Sequence, residues 1–258
     1  MSDEKNRIAK EEYFAMMESL PFVCQSMRDA LEHGRPWSLI RMGDGERMLL
    51  QSLRTGKAVG CVKDSGWLNR YIPTVHWKKA ASELLEAVPR ATYVGLSHRA
   101  FDNKNYAVHE ELAKHGLDWR KLPITTAGIH VLLSKQPERI REISEGRKFG
   151  VVYWKPEYAE KKFAQIGVKV SAGYPYGHGA DNDAALQYFG ENRCDLVFLS
   201  GGPYGKALAV KLAEEHGTAV FDFGRGIELL STKVENVAGR RKMRPKKTRA
   251  QLRSRRKA

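Results

Sequence analysis

Cysteine is scarce in this chain: three residues in 258, at Cys24, Cys61 and Cys194, odd in number and far apart. That leaves no disulfide framework and no zinc knuckle, so the three read as small buried apolar residues. No run of about 18 apolar residues occurs, which excludes a membrane-spanning helix read from hydropathy. The opening Met1-Ser2-Asp3-Glu4-Lys5 leads into no apolar signal-peptide core, and a soluble cytoplasmic protein is expected. No internal repeat is found. Acidic residues are missing altogether from Gly239 to Ala258, GRRKMRPKKTRAQLRSRRKA, a stretch with 11 Lys or Arg. The formal net charge of +14 therefore falls to 14 − 11 = +3 for the remainder. The basicity is a property of a tail. Such a run buries too little apolar surface to offset its ordering entropy and is expected to be disordered. Its alternative use is binding of nucleic acid or an anionic membrane surface, which would weaken steeply with salt.

What is present is a body of 42% hydrophobic composition, enough for one sizeable core. Ile8, Tyr13, Phe14, Met16, Met17 and Leu20 are spaced for an amphipathic helix, Pro21 interrupts it, and Phe22 to Leu31 resumes. Short apolar runs follow at Trp37 to Met42, Ala91 to Leu96, Lys148 to Tyr153, Val168 to Ala172, Asp195 to Ser200 and Thr218 to Phe223, and read as strands. Helical segments lie between them, at His76 to Ala87, Lys104 to His115, Pro137 to Glu145, Pro156 to Gln165, Asp181 to Phe189 and Tyr204 to His216. This alternation implies an α/β fold, a mostly parallel sheet with helices on both faces. The expected organisation is an N-terminal helical extension (1–35), a main domain (36–232) and the basic tail (233–258).

Two segments carry candidate chemistry. Arg41-Met42-Gly43-Asp44-Gly45-Glu46 follows the first strand. In an extended segment Asp44 and Glu46, two residues apart, leave the chain on the same side, and Gly43 and Gly45 place nothing in the way of an ion or phosphate. Hard cations such as Mn2+ or Mg2+ take oxygen sites of this kind. The same residues are also ordinary turn formers. The second segment is Asp195-Leu-Val-Phe-Leu-Ser200, then Gly201-Gly202-Pro203, then a helix from Tyr204. A glycine turn feeding a helix exposes unpaired N–H groups where the helix dipole is positive, which suits a diphosphate, although tight strand-to-helix turns are common without one. In open parallel sheets both segments would lie at the carboxyl ends of strands, where ligands gather.

Together these segments resemble the GT-D type glycosyltransferases, first catalogued as a domain of unknown function and later found to have a Rossmann-like fold of their own. The resemblance rests on Ser38-Leu-Ile-Arg-Met-Gly-Asp-Gly-Glu46, like the family's arginine-x-glycine-aspartate-glycine-glutamate signature, and on Leu196-Val-Phe-Leu-Ser-Gly-Gly-Pro203 with Leu208 to Gly224 behind it. It implies sugar transfer from a nucleotide-sugar donor, a UDP-sugar foremost, to an acceptor that the sequence does not name. It further implies Mn2+ or Mg2+ at Asp44 and Glu46, Arg41 facing the donor phosphates, and a nucleotide pocket bordered by Gly202, Pro203 and Tyr204. One departure stands out. After the late-strand aspartate the family carries a glycine-histidine pair, whereas this chain reads Asp222-Phe223-Gly224-Arg225, and Arg225 is expected to meet phosphate instead.

For the acceptor's proton, His178 in the loop Ser171-Ala-Gly-Tyr-Pro-Tyr-Gly-His178-Gly-Ala-Asp181-Asn-Asp183 is the first candidate, since histidine titrates near neutrality. His98 competes with it. Asp181 reads as a helix N-cap, and Asp222 as a pocket carboxylate with a catalytic role. Trp37, Trp67, Trp77, Trp119 and Trp154 are expected to pack in the core, with stacking on a base or sugar as the alternative. Two other functions fit the sequence: a non-catalytic nucleic-acid-binding or assembly protein using its tail, and a metal-dependent phosphohydrolase.

Overall fold

The structure is a computed structural model and describes residues 2–64, 77–177 and 181–230. Seven strands, β1 (Trp37–Arg41), β2 (Tyr93–Leu96), β3 (Ile124–Thr126), β4 (Phe149–Tyr153), β5 (Val170–Pro175), β6 (Leu196–Leu199) and β7 (Ala219–Asp222), form one sheet. Their order is β3-β2-β1-β7-β6-β4-β5, and every pairing is parallel. Because both faces of a parallel sheet are covered, its strands are continuous apolar runs, and β2, β4, β6 and β7 are buried along their whole length.

Alternation along each strand divides the core in two. Trp37, Leu39, Phe198, Ala219 and Phe221 pack on one face, while Ile40, Val197, Leu199 and Val220 pack on the other with Leu208 and Leu212 of the Gly205–His216 helix. By the same period of two, Asp222 follows Phe221 onto the face that carries this helix. The carboxylate of the last residue of β7 is thereby brought to the helix that begins after β6.

Five of the seven strands lie within the expected segments, and β5 overlaps the expected Val168 to Ala172 but runs on to Pro175. β3 was not anticipated: three residues make too short a pattern, and its edge is held by a non-local contact, Glu18 N–H donating to Ile124 O at 2.8 Å. Pro21 does not interrupt a helix. The first helix ends at Ala15, and Pro21 sits in the first turn of the next, Leu20–Glu32, where its missing N–H costs nothing. The expected Lys104–His115 helix is a short 3-10 turn followed by Val108–Lys114. Among the described residues no helix is long and apolar enough to cross a membrane. His178, Trp67 and the basic tail lie outside the described residues.

Candidate functional site

At the carboxyl ends of β1, β4, β6 and β7 opens a cavity of about 940 Å3. It lies where the chain, having built β1 to β3 outward on one side, crosses to build the other half of the sheet, the usual position for a ligand crevice in open α/β sheets.

The first motif reaches this cavity in a form the sequence reading did not foresee. Asp44 to Thr55 is a helix, not an extended segment. Glu46 is its third residue, and its side chain reaches back to accept the Gly43 N–H at 2.8 Å, one half of a capping box. Glu46, Leu49, Leu50 and Leu53 then repeat at helical spacing. Two residues apart on a helix is about 200° of rotation, so the expected same-side projection of Asp44 and Glu46 does not hold. Asp44 is exposed and its Oδ1 accepts the Gly45 N–H, whereas Glu46 is buried.

Behind Glu46 lies a buried cluster. Arg41 donates its backbone N–H to Asp222 Oδ2 at 3.0 Å, where the β1–β7 ladder runs out, and its side chain donates from Nε to Asp222 O at 2.8 Å and from Nη2 to Asp222 Oδ1 at 3.0 Å. Nη1 lies 3.3 Å from Ala127 O and 2.8 Å from His130 Nδ1. His130 Nδ1 also lies 3.1 Å from Ala127 O; it accepts from Arg41 when the neutral ring carries its proton on Nε2 and donates to Ala127 O when the proton is on Nδ1. Lys206, in the first turn of the Gly205–His216 helix, completes the cluster with its Nζ 2.7 Å from Asp222 Oδ2 and 3.5 Å from Glu46 Oε1.

Two titrations follow from this packing. Burial alone would raise the Asp222 carboxyl, but Arg41 and Lys206 outweigh it and hold the group below its ordinary value. Burial, reinforced by Arg41, lowers His130 to about 4, so this ring is neutral at neutral pH. Gly224 allows the close approach. Its φ is +47°, and a Cβ there would stand 1.9 Å from Arg41 Nη2.

These contacts revise several expected roles. Arg41 is committed to Asp222, Ala127 and His130, so it braces the site from beneath rather than offering a free fork to phosphate. Asp222 is fully buried and paired to two cations, which makes it a counter-ion and a poor proton acceptor. Tyr204 is buried with its carbonyl accepting from Asn182 Nδ2, and neither it nor Gly43 lines the cavity. Asp44, Gly45, Glu46, Gly202, Pro203 and Arg225 do line it, and Arg225 stands at its mouth with the side chain 81% exposed. Asp181 caps the following helix by accepting the Asp183 N–H at 2.9 Å, and His98 is exposed away from the cavity.

As a chelate for Mn2+ or Mg2+ the Asp-X-Glu pair does not fit: both Glu46 oxygens are engaged, one by a backbone N–H and one by an ammonium. Among the described residues no group of three or more His, Cys, Asp or Glu is arranged to hold a metal ion.

Lys206, His130 and Glu228 line the cavity and are not among the residues the sequence singles out. Lys206 had a usable signal, a Gly205-Lys206 step opening a helix directly after a glycine turn. His130 had none, since it lies on a six-residue helix after the unforeseen β3. Glu228 accepts from Tyr153 Oη at 3.2 Å and lines the cavity. Trp154, expected in the core with stacking on a base or sugar as the alternative, is 54% exposed and lines the cavity.

Residues 19–230 match a family model described as a GT-D fold-like domain. No match is found among the curated proteins. A solved structure, described as showing that the highly conserved domain of unknown function 1792 has a distinct glycosyltransferase fold, superposes with a TM-score of 0.52. It shares 16% identity with this chain, over 84% of this chain and 81% of the other, and at that identity the likeness is one of fold.

Proposed function

This chain belongs to the GT-D-like family, and we propose on that footing that it is a glycosyltransferase that takes a nucleotide-sugar donor, a UDP-sugar foremost, into the cavity at the carboxyl end of its sheet. The observation that carries the reading is the meeting of the Gly201–Pro203 turn, the N-terminus of the Gly205–His216 helix and the buried Lys206 on one wall of that cavity.

Transfer breaks the bond between the sugar's anomeric carbon and the diphosphate oxygen, and forms one to an acceptor hydroxyl whose proton must be taken up. The leaving diphosphate gains negative charge as that bond breaks. Backbone N–H groups at a helix N-terminus and a fixed ammonium are preorganised donors that stabilise such charge without reorganising. Arg225, exposed at the mouth, adds a guanidinium fork suited to phosphate.

Other residues of the lining suit the acceptor. Trp154 offers a half-exposed ring on which a sugar or a base can stack, and Glu228, held by Tyr153 Oη and by Arg225 Nε at 3.3 Å, is a carboxylate placed to accept the hydroxyl proton. His178 follows Gly177 of the cavity wall in sequence and is the second candidate for that step.

The test is nucleoside diphosphate release by the full-length protein from a panel of nucleotide sugars, with and without candidate sugar acceptors. Release from at least one donor that disappears in Glu228→Gln or His178→Ala supports the reading. A panel with no release counts against it.

A further inference from the structure

An amino group stands where the sequence pointed to a metal. The ammonium of Lys206 bridges Asp222 Oδ2 and Glu46 Oε1, and the other Glu46 oxygen is held by the Gly43 N–H. All three side chains are deeply set, at 5% exposure for Lys206, 11% for Glu46 and 1% for Asp222. Together with Arg41, the four charged groups sum to zero: two cations, two carboxylates. A divalent ion entering between Glu46 and Asp222 would have to evict the ammonium or leave two uncompensated charges in a buried setting, and buried unpaired charge is costly. What remains for a metal is Asp44 alone, exposed, with one oxygen already accepting the Gly45 N–H.

The ammonium is well placed for the task the metal would have performed. It carries three N–H bonds; Asp222 Oδ2 lies at hydrogen-bond distance, 2.7 Å, and Glu46 Oε1 is an ion-pair neighbour at 3.5 Å. Lys206 also lines the cavity, where an ammonium N–H can meet a phosphate oxygen, and it belongs to the first turn of a 12-residue helix whose N-terminus follows the Gly201–Pro203 turn. An anion in this corner meets the helix N-terminus and a fixed cation together.

We infer that Lys206, with the N-terminus of its helix, holds the donor's diphosphate, and that this protein binds its nucleotide donor without a divalent cation. The inference rests on the nucleotide-sugar reading above and deepens it. It assigns to a side chain the charge that the Asp-X-Glu motif suggested for Mn2+ or Mg2+.

The experiment is calorimetric titration of EDTA-treated, full-length protein with UDP, in EDTA and in Mn2+ buffer. The expected result is a Kd in EDTA within about threefold of that in Mn2+, and a loss of at least about tenfold in EDTA for Lys206→Met. Lys206→Met leaves the buried Glu46 without a cation and Asp222 with Arg41 alone, and can cost the fold, so Glu46→Gln is the second variant. The substituted amide keeps an oxygen for the Gly43 cap and removes a negative charge from beside the ammonium. Under the inference UDP then binds in EDTA as tightly as to the parent protein or more tightly. In a metal-held site it binds at least about tenfold more weakly. UDP binding confined to Mn2+ buffer, or weakened by Glu46→Gln, overturns the inference and leaves the nucleotide reading standing. If neither UDP nor any other nucleoside diphosphate binds in either buffer, the reading beneath it falls as well.

Discussion

Arg41 and Asp222, 181 residues apart in sequence, are joined by three hydrogen bonds that tie the end of β1 to the end of β7. The pair sits beneath the cavity, so its loss should be felt first as stability. Arg41→Met leaves Asp222 with Lys206 as its remaining cation, and removing one member of a buried pair costs about 3–5 kcal/mol. Chemical denaturation should show a loss of that order. The Arg41→Met/Asp222→Asn double variant should be less destabilised than the sum of the singles, the mark of a direct coupling.

Gly224 provides a separate probe of the same guanidinium. With φ at +47° and a Cβ that would meet Arg41 Nη2, Gly224→Ala must both strain the backbone and displace Arg41. A cost of about 1–3 kcal/mol is expected from the conformation, accompanied by weaker nucleotide binding. A variant that melts and binds like the parent protein would argue against the tight packing described here.

His130 makes stability depend on pH. Its folded pKa, about 4, lies below the ordinary value near 6.5. Between these values the unfolded chain binds a proton that the folded one refuses. Stability from this group is therefore complete above about pH 6.5, declines as the pH falls toward about 4, and levels off below. The amplitude is on the order of 3 kcal/mol. Asp222 behaves as a carboxyl lowered by its partners and adds its own loss only at still lower pH. Urea unfolding across this range, compared with His130→Phe, should show the decline reduced in the variant.

Much of the fold was legible because buried parallel strands write themselves as apolar runs closed by Gly or Pro; Leu196–Leu199 and Ala219–Asp222 are clear cases. β3 was not, because Ile124–Thr126 becomes a strand through its neighbours rather than its own pattern. The Arg41–Glu46 motif drew attention to the right place with the wrong geometry. Gly43 and Glu46 form a helix start, and the leucines at 49, 50 and 53 already carried the helical spacing. Lys206 was overlooked for a physical reason: a lysine in a helix is by default at the surface, and only the contact with Asp222 and Glu46, set by sheet order, makes it a buried cation.

Trp154 separates function from stability. Being half exposed, it contributes little to the core, and Trp154→Ala should shift stability by no more than about 0.5 kcal/mol, as for other surface changes. If a ligand stacks on it, the same substitution removes about 1–2 kcal/mol of binding, a factor of roughly 5–30, with Trp154→Phe retaining part of it. Equal kcat/KM in parent and Trp154→Ala would remove Trp154 from the site.

The most direct measurement is thermal unfolding of the full-length protein with a panel of nucleotide sugars. A ligand at ~100 times its Kd stabilises the native state by about 2.7 kcal/mol, which for a domain of this size is a rise of roughly 5–10 °C. The predicted result is such a rise with at least one UDP-sugar, absent with the free sugar and lost in Lys206→Met. No rise with any nucleotide sugar, with or without Mn2+, would contradict the account.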